Sequence, residues 1–467
     1  MARPRTWDPK GSRRPQRRPR DAARATALEA LRAVTGQDAY ANLVLPGLLR
    51  ERGVTGRDAA LATELVYGTL RGLGTYDAVL ERCADRPLEA LDPAVLDVLR
   101  LGTHQLLGTR VPAHAAVASS VDLVREQVGP RPTGLVNAVL RRVASRDLDA
   151  WVREIAPPSG SDPVGRLAVR EAHPRWVADA LLAAVGGDVS ELEALLRADN
   201  ARPEVTLVAR PGRAGLDELL GSGATPGRWS PVAARWPAGD PLDVPAVAEG
   251  RAGVQDEGSQ LVTLALAGAP LTGRDDRWLD LCAGPGGKAA LLSALAGERG
   301  ASVLAVERQP HRARLVARAL QGLPRGTVVV ADGRAPAWPD GSFDRVLVDV
   351  PCSGLGALRR RPESRWRRTP ADVAALHPLQ IALLGSALAA ARPGGVVAYV
   401  TCSPHLDETR TVVDEVLRGR HGVERLDARP LLPGVPDLGD GPDVQLWPHR
   451  HGTDAMYLSL LRTGGRR

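Results

Sequence analysis

The stretch VLVDVPCSGLG, residues 346–356, decides how the rest of the chain is read. Four of its first five residues are apolar, which predicts a buried β-strand from Val346 to Val350 with Asp349 near its carboxyl end. Pro-Cys-Ser-Gly then breaks the strand into a tight loop. A buried carboxylate is costly unless it is paired or used. Ligands of open α/β sheets sit beyond the carboxyl ends of the strands. The stretch therefore delivers an acid, Asp349, and a thiol, Cys352, to the place where chemistry is expected. Taken alone, it reads equally as a strand ending in a turn with an inert cysteine.

The flanking sequence repeats the rhythm. RWLDL, SVLAVE and TVVVAD precede it as strands, GGVVAYV follows, and MYLSLL supplies a last one. Helices are predicted over residues 287–297, 310–321, 372–391 and 406–418. Continuous apolar strands alternating with helices predict a parallel sheet covered on both faces, a Rossmann-like α/β domain over residues 251–467.

The first strand runs into LDLCAGPGGK. Glycines at a strand-to-helix turn let a ligand approach the backbone, and the helix N-terminus favours negative charge. The loop is not a Walker A motif, because Ala289 stands where a magnesium-binding Ser or Thr is needed. It satisfies G-x-G-x-x-A through Gly284, Gly286 and Ala289. Glu307 lies 21 residues beyond Gly286, at the end of the second strand, where an acid accepts hydrogen bonds from ribose hydroxyls. A nucleoside-containing cofactor is expected, and NAD is one candidate, which would make the chain an oxidoreductase. Asp332 closes the third strand, on the adenine side. YVTCSPH ends the fifth strand with Cys402, so Cys352 and Cys402 end neighbouring strands; a disulfide or redox pair is the alternative to two catalytic thiols.

Residues 21–145 carry apolar residues at helical spacing, punctuated by Pro and Gly, and predict a helical bundle. Residues 146–250 read as a linker and a small α/β subdomain, with a helix in HPRWVADALLAAVG and a strand over residues 202–210. Residues 1–20 are rich in Arg and Pro and predict a disordered basic tail. The tail holds eight basic residues against Asp8, which equals the whole chain's net charge of +7. Only two lysines occur, Lys10 and Lys288. The four cysteines form no CxxC or zinc spacing, so a reducing, cytoplasmic setting is expected. No metal site and no membrane span are expected.

LDLCAGPGGK, DVPCSGLG and VTCSPH, in this order and spacing, resemble the RNA 5-methylcytosine methyltransferases of the NOL/NOP2/Sun family. The segments DAYANLVL, DAALATELVYGTLR and LVNAVLRR resemble a NusB-type RNA-binding helical domain. Together they place the chain beside the RsmB (Sun/Fmu) group, whose substrate is 16S ribosomal RNA. The resemblance implies S-adenosylmethionine as cofactor and RNA as partner; a monomer is expected. It implies that Cys282, Ala283, Gly284, Pro285, Gly286, Gly287 and Lys288 hold the methionine part. It assigns Glu307 to the ribose, Asp332 to the adenine end, and Asp349 to the space between cofactor and base. Cys402 is then the nucleophile, Cys352 assists product release, and Lys288 makes polar contacts near the base. The family usually reads CAAPGG, with Asp where Glu307 stands. VQDEGSQLV, residues 254–262, is expected to pack near the cofactor pocket. The basic segment LRRRPESRWRRT, residues 358–369, suits single-stranded RNA through Arg359, Arg360, Arg361, Arg365 and Trp366. A non-catalytic RNA-binding factor on the same fold is the remaining alternative.

Overall fold

The computed structural model describes residues 21–464 except 159, 238 and 324; the basic tail lies outside the described residues. The chain divides into two compact units at Ala156/Pro157.

In the first unit, helices Ala22–Gln37, Ala41–Arg52, Gly56–Cys83, Pro93–Leu107, Ala113–Gln127 and Thr133–Val143 form the expected bundle. Their ends follow local chemistry. Asp21 and Asp92 cap helix starts by accepting backbone N–H bonds of 2.9 and 2.7 Å, and Pro93 occupies the first helical position after Asp92. Leu28, Leu31, Leu65, Leu70, Val98 and Leu140 make the core. Gly102 lets two helices close up, since a Cβ there would lie 2.6 Å from Leu140. The unit does not stop at residue 145. Helix Leu148–Ile155 belongs to it, because Trp151 enters the same core and donates its indole N–H to Val143 O at 3.0 Å.

The second unit begins with three helices, Pro163–Arg170, Arg175–Ala184 and Val189–Asn200. They are not a linker. Val177, Leu181 and Leu195 share a buried core with Leu355, Leu358 and Trp447, so these helices support the loop that follows Asp349. A small antiparallel sheet comes next, of β1 (Val205–Ala209), β2 (Thr225–Pro226), β3 (Ala233–Trp236) and β4 (Ala252–Val254), in the order β2-β3-β1-β4.

The large sheet contains β5 (Arg277–Asp280), β6 (Ser302–Glu307), β7 (Gly326–Val330), β8 (Phe343–Asp349), β9 (Ala391–Thr401), β10 (Val423–Leu426), β11 (Val444–Gln445) and β12 (Tyr457–Thr463). Its order is β10-β12-β9-β8-β5-β6-β7, with β11 beside β12. Neighbours among β5 to β9 are parallel, as expected. β12 is antiparallel to β9, which corrects the all-parallel reading. Residues 457–461 are all buried, and such a run has the same pattern in either direction. The chain steps from β5 outward to β6 and returns as β8 on the other side of β5. The switch point between β5 and β8 is where a ligand crevice opens.

Helix Pro370–Ala390 covers β8 and β9 through Leu383, Leu384 and Ala387. Among the described residues it alone is long and apolar enough to cross a membrane. The predicted helix over 406–418 is interrupted. A 3-10 turn, Leu406–Glu408, precedes helix Arg410–Arg418, because Glu408 is drawn inward to the loop after β8.

Candidate active site

The turn after β5 is stitched to both neighbours. Leu281 N donates to Leu347 O at 2.9 Å, and Ala283 N donates to Val306 O at 2.8 Å. Gly286 opens helix Gly287–Glu298 at φ +116°, and a Cβ there would lie 2.7 Å from Ala319 Cβ. Gly284 N donates to Glu307 Oε2 at 3.1 Å, and Gln309 N donates to Glu307 Oε1 at 2.8 Å. A Cβ on Gly284 would collide with the Glu307 carboxylate. The two departures from the family pattern are thus one feature: the longer acid occupies the space that an alanine side chain would take.

Asp280 ends β5 almost fully buried, with Oδ1 accepting from Cys282 N at 3.3 Å and Oδ2 without a partner. Burial, then the charge of Asp349, pushes its carboxyl up to about 7. Lys288, in the first turn of the helix, reaches Asp349 Oδ2 at 2.9 Å. Burial works against its ammonium, but the Asp349 carboxylate outweighs that and the pKa is raised.

Parallel pairing of β8 with β9 sets Asp349 opposite Val400 and brings the two strand-end thiols together. Cys352 Sγ and Cys402 Sγ are 3.4 Å apart and unoxidised. Their surroundings differ. The hydrogen bond from Cys352 lowers the pKa of Cys402, with help from Lys288. Cys352 is pushed well up by the same bond, by burial and by the charges of Cys402 and Glu408. The two thiols are thus driven in opposite directions, Cys402 toward the thiolate and Cys352 toward the neutral S–H. Cys282 is also pushed well up, by burial and then Asp280, so that loop offers its backbone rather than a nucleophile.

Glu408 was not singled out from the sequence, yet it holds the loop after β8. It is fully buried and accepts from Ser353 N at 2.7 Å, from Ser353 Oγ, and from Gln380 Nε2 at 3.2 Å. Gln380 also donates to Pro351 O at 2.9 Å. An acid within a polar SPHLDE segment carries no local sign that it turns inward.

The basic segment is only partly what its composition promised. Arg365 is a correction. It is fully buried and donates to Ala172 O at 3.1 Å and Asn200 Oδ1 at 2.8 Å, which removes it from any RNA-facing surface. Arg360 makes a forked pair with Asp454, and Arg359 lies mostly buried 3.9 Å from both Asp454 and Asp256. Arg361 and Trp366 are half-buried. Asp454 precedes β12 in HGTDAMYLSLL, and a carboxylate set before an apolar strand was the signal that could have marked it. Asp332 lies two residues past β7, on the same rim as Glu307. Arg334 grips it at 2.6 Å and holds its carboxyl down at about 2.

A family model described as 16S rRNA methyltransferase RsmB/F matches residues 270–462, and the NusB family model matches residues 21–145. Ribosomal RNA small subunit methyltransferase B of Pseudomonas syringae pv. tomato is 35% identical over 450 residues, spanning 94% of this chain and 96% of that protein. The chain belongs to the RsmB/F methyltransferase family. Putative methyltransferase Rv1407 of Mycobacterium tuberculosis is 57% identical over 453 residues, 97% of this chain and 98% of that one. The crystal structure of PH0851 shares the fold at 21% identity, with a TM-score of 0.78 over 94% of this chain and 98% of that chain. The methyl donor of this RsmB/F chain is S-adenosylmethionine, which sets aside the nicotinamide alternative. The residues present fit that group. The turn lacks side chains at Gly284, Gly286 and Gly287, and each Glu307 oxygen keeps a lone pair beyond its backbone bond. The buried Asp280 Oδ2 still wants a donor. Among the described residues no group of three or more metal-ligating side chains occurs.

Proposed function

We propose that this RsmB/F chain methylates carbon 5 of a cytosine in RNA, 16S ribosomal RNA in the first instance, through a covalent bond between Cys402 and carbon 6 of the base. The observation that carries the reading is the thiol pair at the ends of β8 and β9, 3.4 Å apart, with only Cys402 tuned toward thiolate. The substrate class of the relatives and the NusB-type domain support RNA as the partner. The same reading makes the working form a cytoplasmic monomer without a metal.

Carbon 5 of cytosine is a poor nucleophile while the ring is aromatic. Addition of the Cys402 thiolate to carbon 6 breaks the aromaticity and places electron density on carbon 5 and on ring nitrogen 3. The Lys288 ammonium donates to Asp349 Oδ2 at 2.9 Å, and the pair can supply a proton toward nitrogen 3 as charge develops there. Residues 282–288, Glu307 and Asp332 hold S-adenosylmethionine, which when bound supplies the methyl group that carbon 5 accepts. Solvent water takes the carbon 5 proton, its C–H electrons restore the carbon 5–carbon 6 double bond, and the bond from carbon 6 to Cys402 Sγ breaks to release the thiolate. Cys352, kept as a neutral S–H beside Cys402, assists that release. The base must leave its stack to reach the crevice.

The test gives labelled S-adenosylmethionine and unmodified 16S ribosomal RNA to wild type, Cys402→Ala and Cys352→Ala. Wild type should transfer label to cytosine carbon 5. Cys402→Ala should lose roughly four orders of magnitude in rate, and Cys352→Ala should accumulate a covalent RNA adduct. Undiminished transfer by Cys402→Ala would overturn the nucleophile. Tight RNA binding by wild type with no transfer to any RNA would leave a non-catalytic binding factor. The pH dependence is a separate check. The alkylation rate of Cys402 should rise with pH through a midpoint below that of an ordinary thiol. Cys352→Ala removes the S–H donor and should move that midpoint upward.

A further inference from the structure

The sequence around residue 255 contributes a side chain that the methyltransferase chemistry above does not use. Gln255 is 7% exposed, and both its Nε2 and Oε1 lack a hydrogen-bond partner among the described residues. Its main chain is fully engaged. Gln255 N donates to Thr206 O at 3.0 Å and Gln255 O accepts from Gln260 Nε2 at 3.0 Å. The carboxamide alone is left over, and leaving a buried polar group unpaired costs about 1–3 kcal/mol.

Its position is specific. A Cβ built on Gly287 would lie 3.9 Å from both Cγ and Cδ of Gln255. The carboxamide therefore stands against the first residue of helix Gly287–Glu298, the 12-residue helix that opens from the cofactor turn. The N–H groups of that first turn favour an anion. The small sheet holds the side chain in place. β4 pairs with β1, with Val254 opposite Leu207, and delivers Gln255 one residue later. Arg210 ties that sheet to Ala319 O at 3.2 Å, and Arg213 ties it to Gly322 O. Ala319 is also the residue against which Gly286 packs. Sheet, helix Pro310–Ala319 and cofactor turn are thus fastened together around the unpaired carboxamide.

We infer that Gln255 binds the amino-acid end of S-adenosylmethionine, its side-chain N–H donating to the α-carboxylate at the helix N-terminus and its side-chain oxygen accepting from the α-ammonium. A carboxamide is suited to this because it offers a donor and an acceptor side by side to a zwitterion. The inference rests on the cofactor assignment and gives the small sheet a role as the arm that places this residue.

The test measures binding rather than turnover. Calorimetric dissociation constants are taken for S-adenosylhomocysteine, which has the amino-acid end, and for 5′-methylthioadenosine, which lacks it. Gln255→Met keeps the length and removes the polar atoms. It should weaken S-adenosylhomocysteine about tenfold or more, the effect of hydrogen bonds to charged groups, and leave 5′-methylthioadenosine unchanged. Gln255→Asn keeps the carboxamide one methylene short and should give a smaller loss confined to S-adenosylhomocysteine. Equal losses for both ligands, or no loss for S-adenosylhomocysteine, in either variant would overturn the assignment. Failure of wild type to bind either ligand would overturn it together with the cofactor assignment, whereas normal wild-type binding with an insensitive Gln255 would remove only this residue.

Discussion

The turn at residues 282–288 and the segment at residues 358–369 both follow a strand of the large sheet, and both looked from composition like ligand-binding loops. They are built in opposite ways. The first presents backbone: its glycines remove side chains, its amides are held by β6 and β8, and its one thiol is raised out of reactivity. The second is a run of long charged side chains, and the protein itself consumes several of them. Arg365 is sealed among the carbonyls of the helices before β1, and Arg360 is clamped on Asp454. A loop that works through its main chain is specified by a few local residues. A loop that works through side chains is specified by whatever those side chains meet.

Removing Arg365 should break this contrast most severely. Arg365→Met leaves buried acceptors without their donor, beside an Asp199 carboxyl already pushed up to about 7 by burial. A loss of about 4 kcal/mol in urea unfolding is expected, with no change in the salt dependence of RNA binding by whatever folded protein remains. An altered salt slope would return Arg365 to the RNA surface. Gly286→Ala comes next. The φ of +116° and the 2.7 Å approach to Ala319 should cost about 3 kcal/mol and weaken S-adenosylhomocysteine binding by calorimetry. A neutral substitution would mean that the turn is looser than its geometry.

Asp280→Asn sharpens the comparison in the opposite direction. The folded carboxyl titrates at about 7, above its unfolded value, so wild type takes up a proton on folding between those values. The contribution of this group to stability should be greatest below about pH 4, fall as pH rises to 7, and level off beyond. The asparagine variant has no such slope and should gain about 4 kcal/mol over wild type across that window, read from thermal melts at several pH values. A constant difference between the two proteins would contradict the buried-acid reading. The smallest effect belongs to Arg361→Ala. On the proposed RNA reading, removing this one half-buried cation should reduce the salt slope of single-stranded RNA binding by about 0.7.

Much of this architecture is legible in the amino-acid sequence. The strands β5 to β9 and their helices are legible because each announces itself in a window of ten residues. The acid and two thiols were legible because they sit at or just beyond the carboxyl ends of neighbouring strands, which pairing brings to the same edge of the sheet. Helix Leu148–Ile155 reads from sequence as part of a linker because its attachment depends on Trp151 reaching a core built by residues far upstream. The break at Thr409 was missed because it is imposed by Glu408 turning toward Ser353, 55 residues away in sequence.

By itself, the sequence determined the α/β rhythm, the glycine cradle with Lys288 at its end, the acid Asp349 at a strand end, and the two cysteines. All of these are written in short-range pattern and residue type. The tertiary structure alone decided that Lys288 pairs with Asp349, the opposite environments of the two thiols, which arginines remain at the surface, the direction of β12, and that the carboxamide of Gln255 stands against the first residue of the helix after the cofactor turn. Those properties come from burial and from partners distant in the chain. Desolvation and charge act through space, and an amino-acid pattern records the groups without recording what surrounds them.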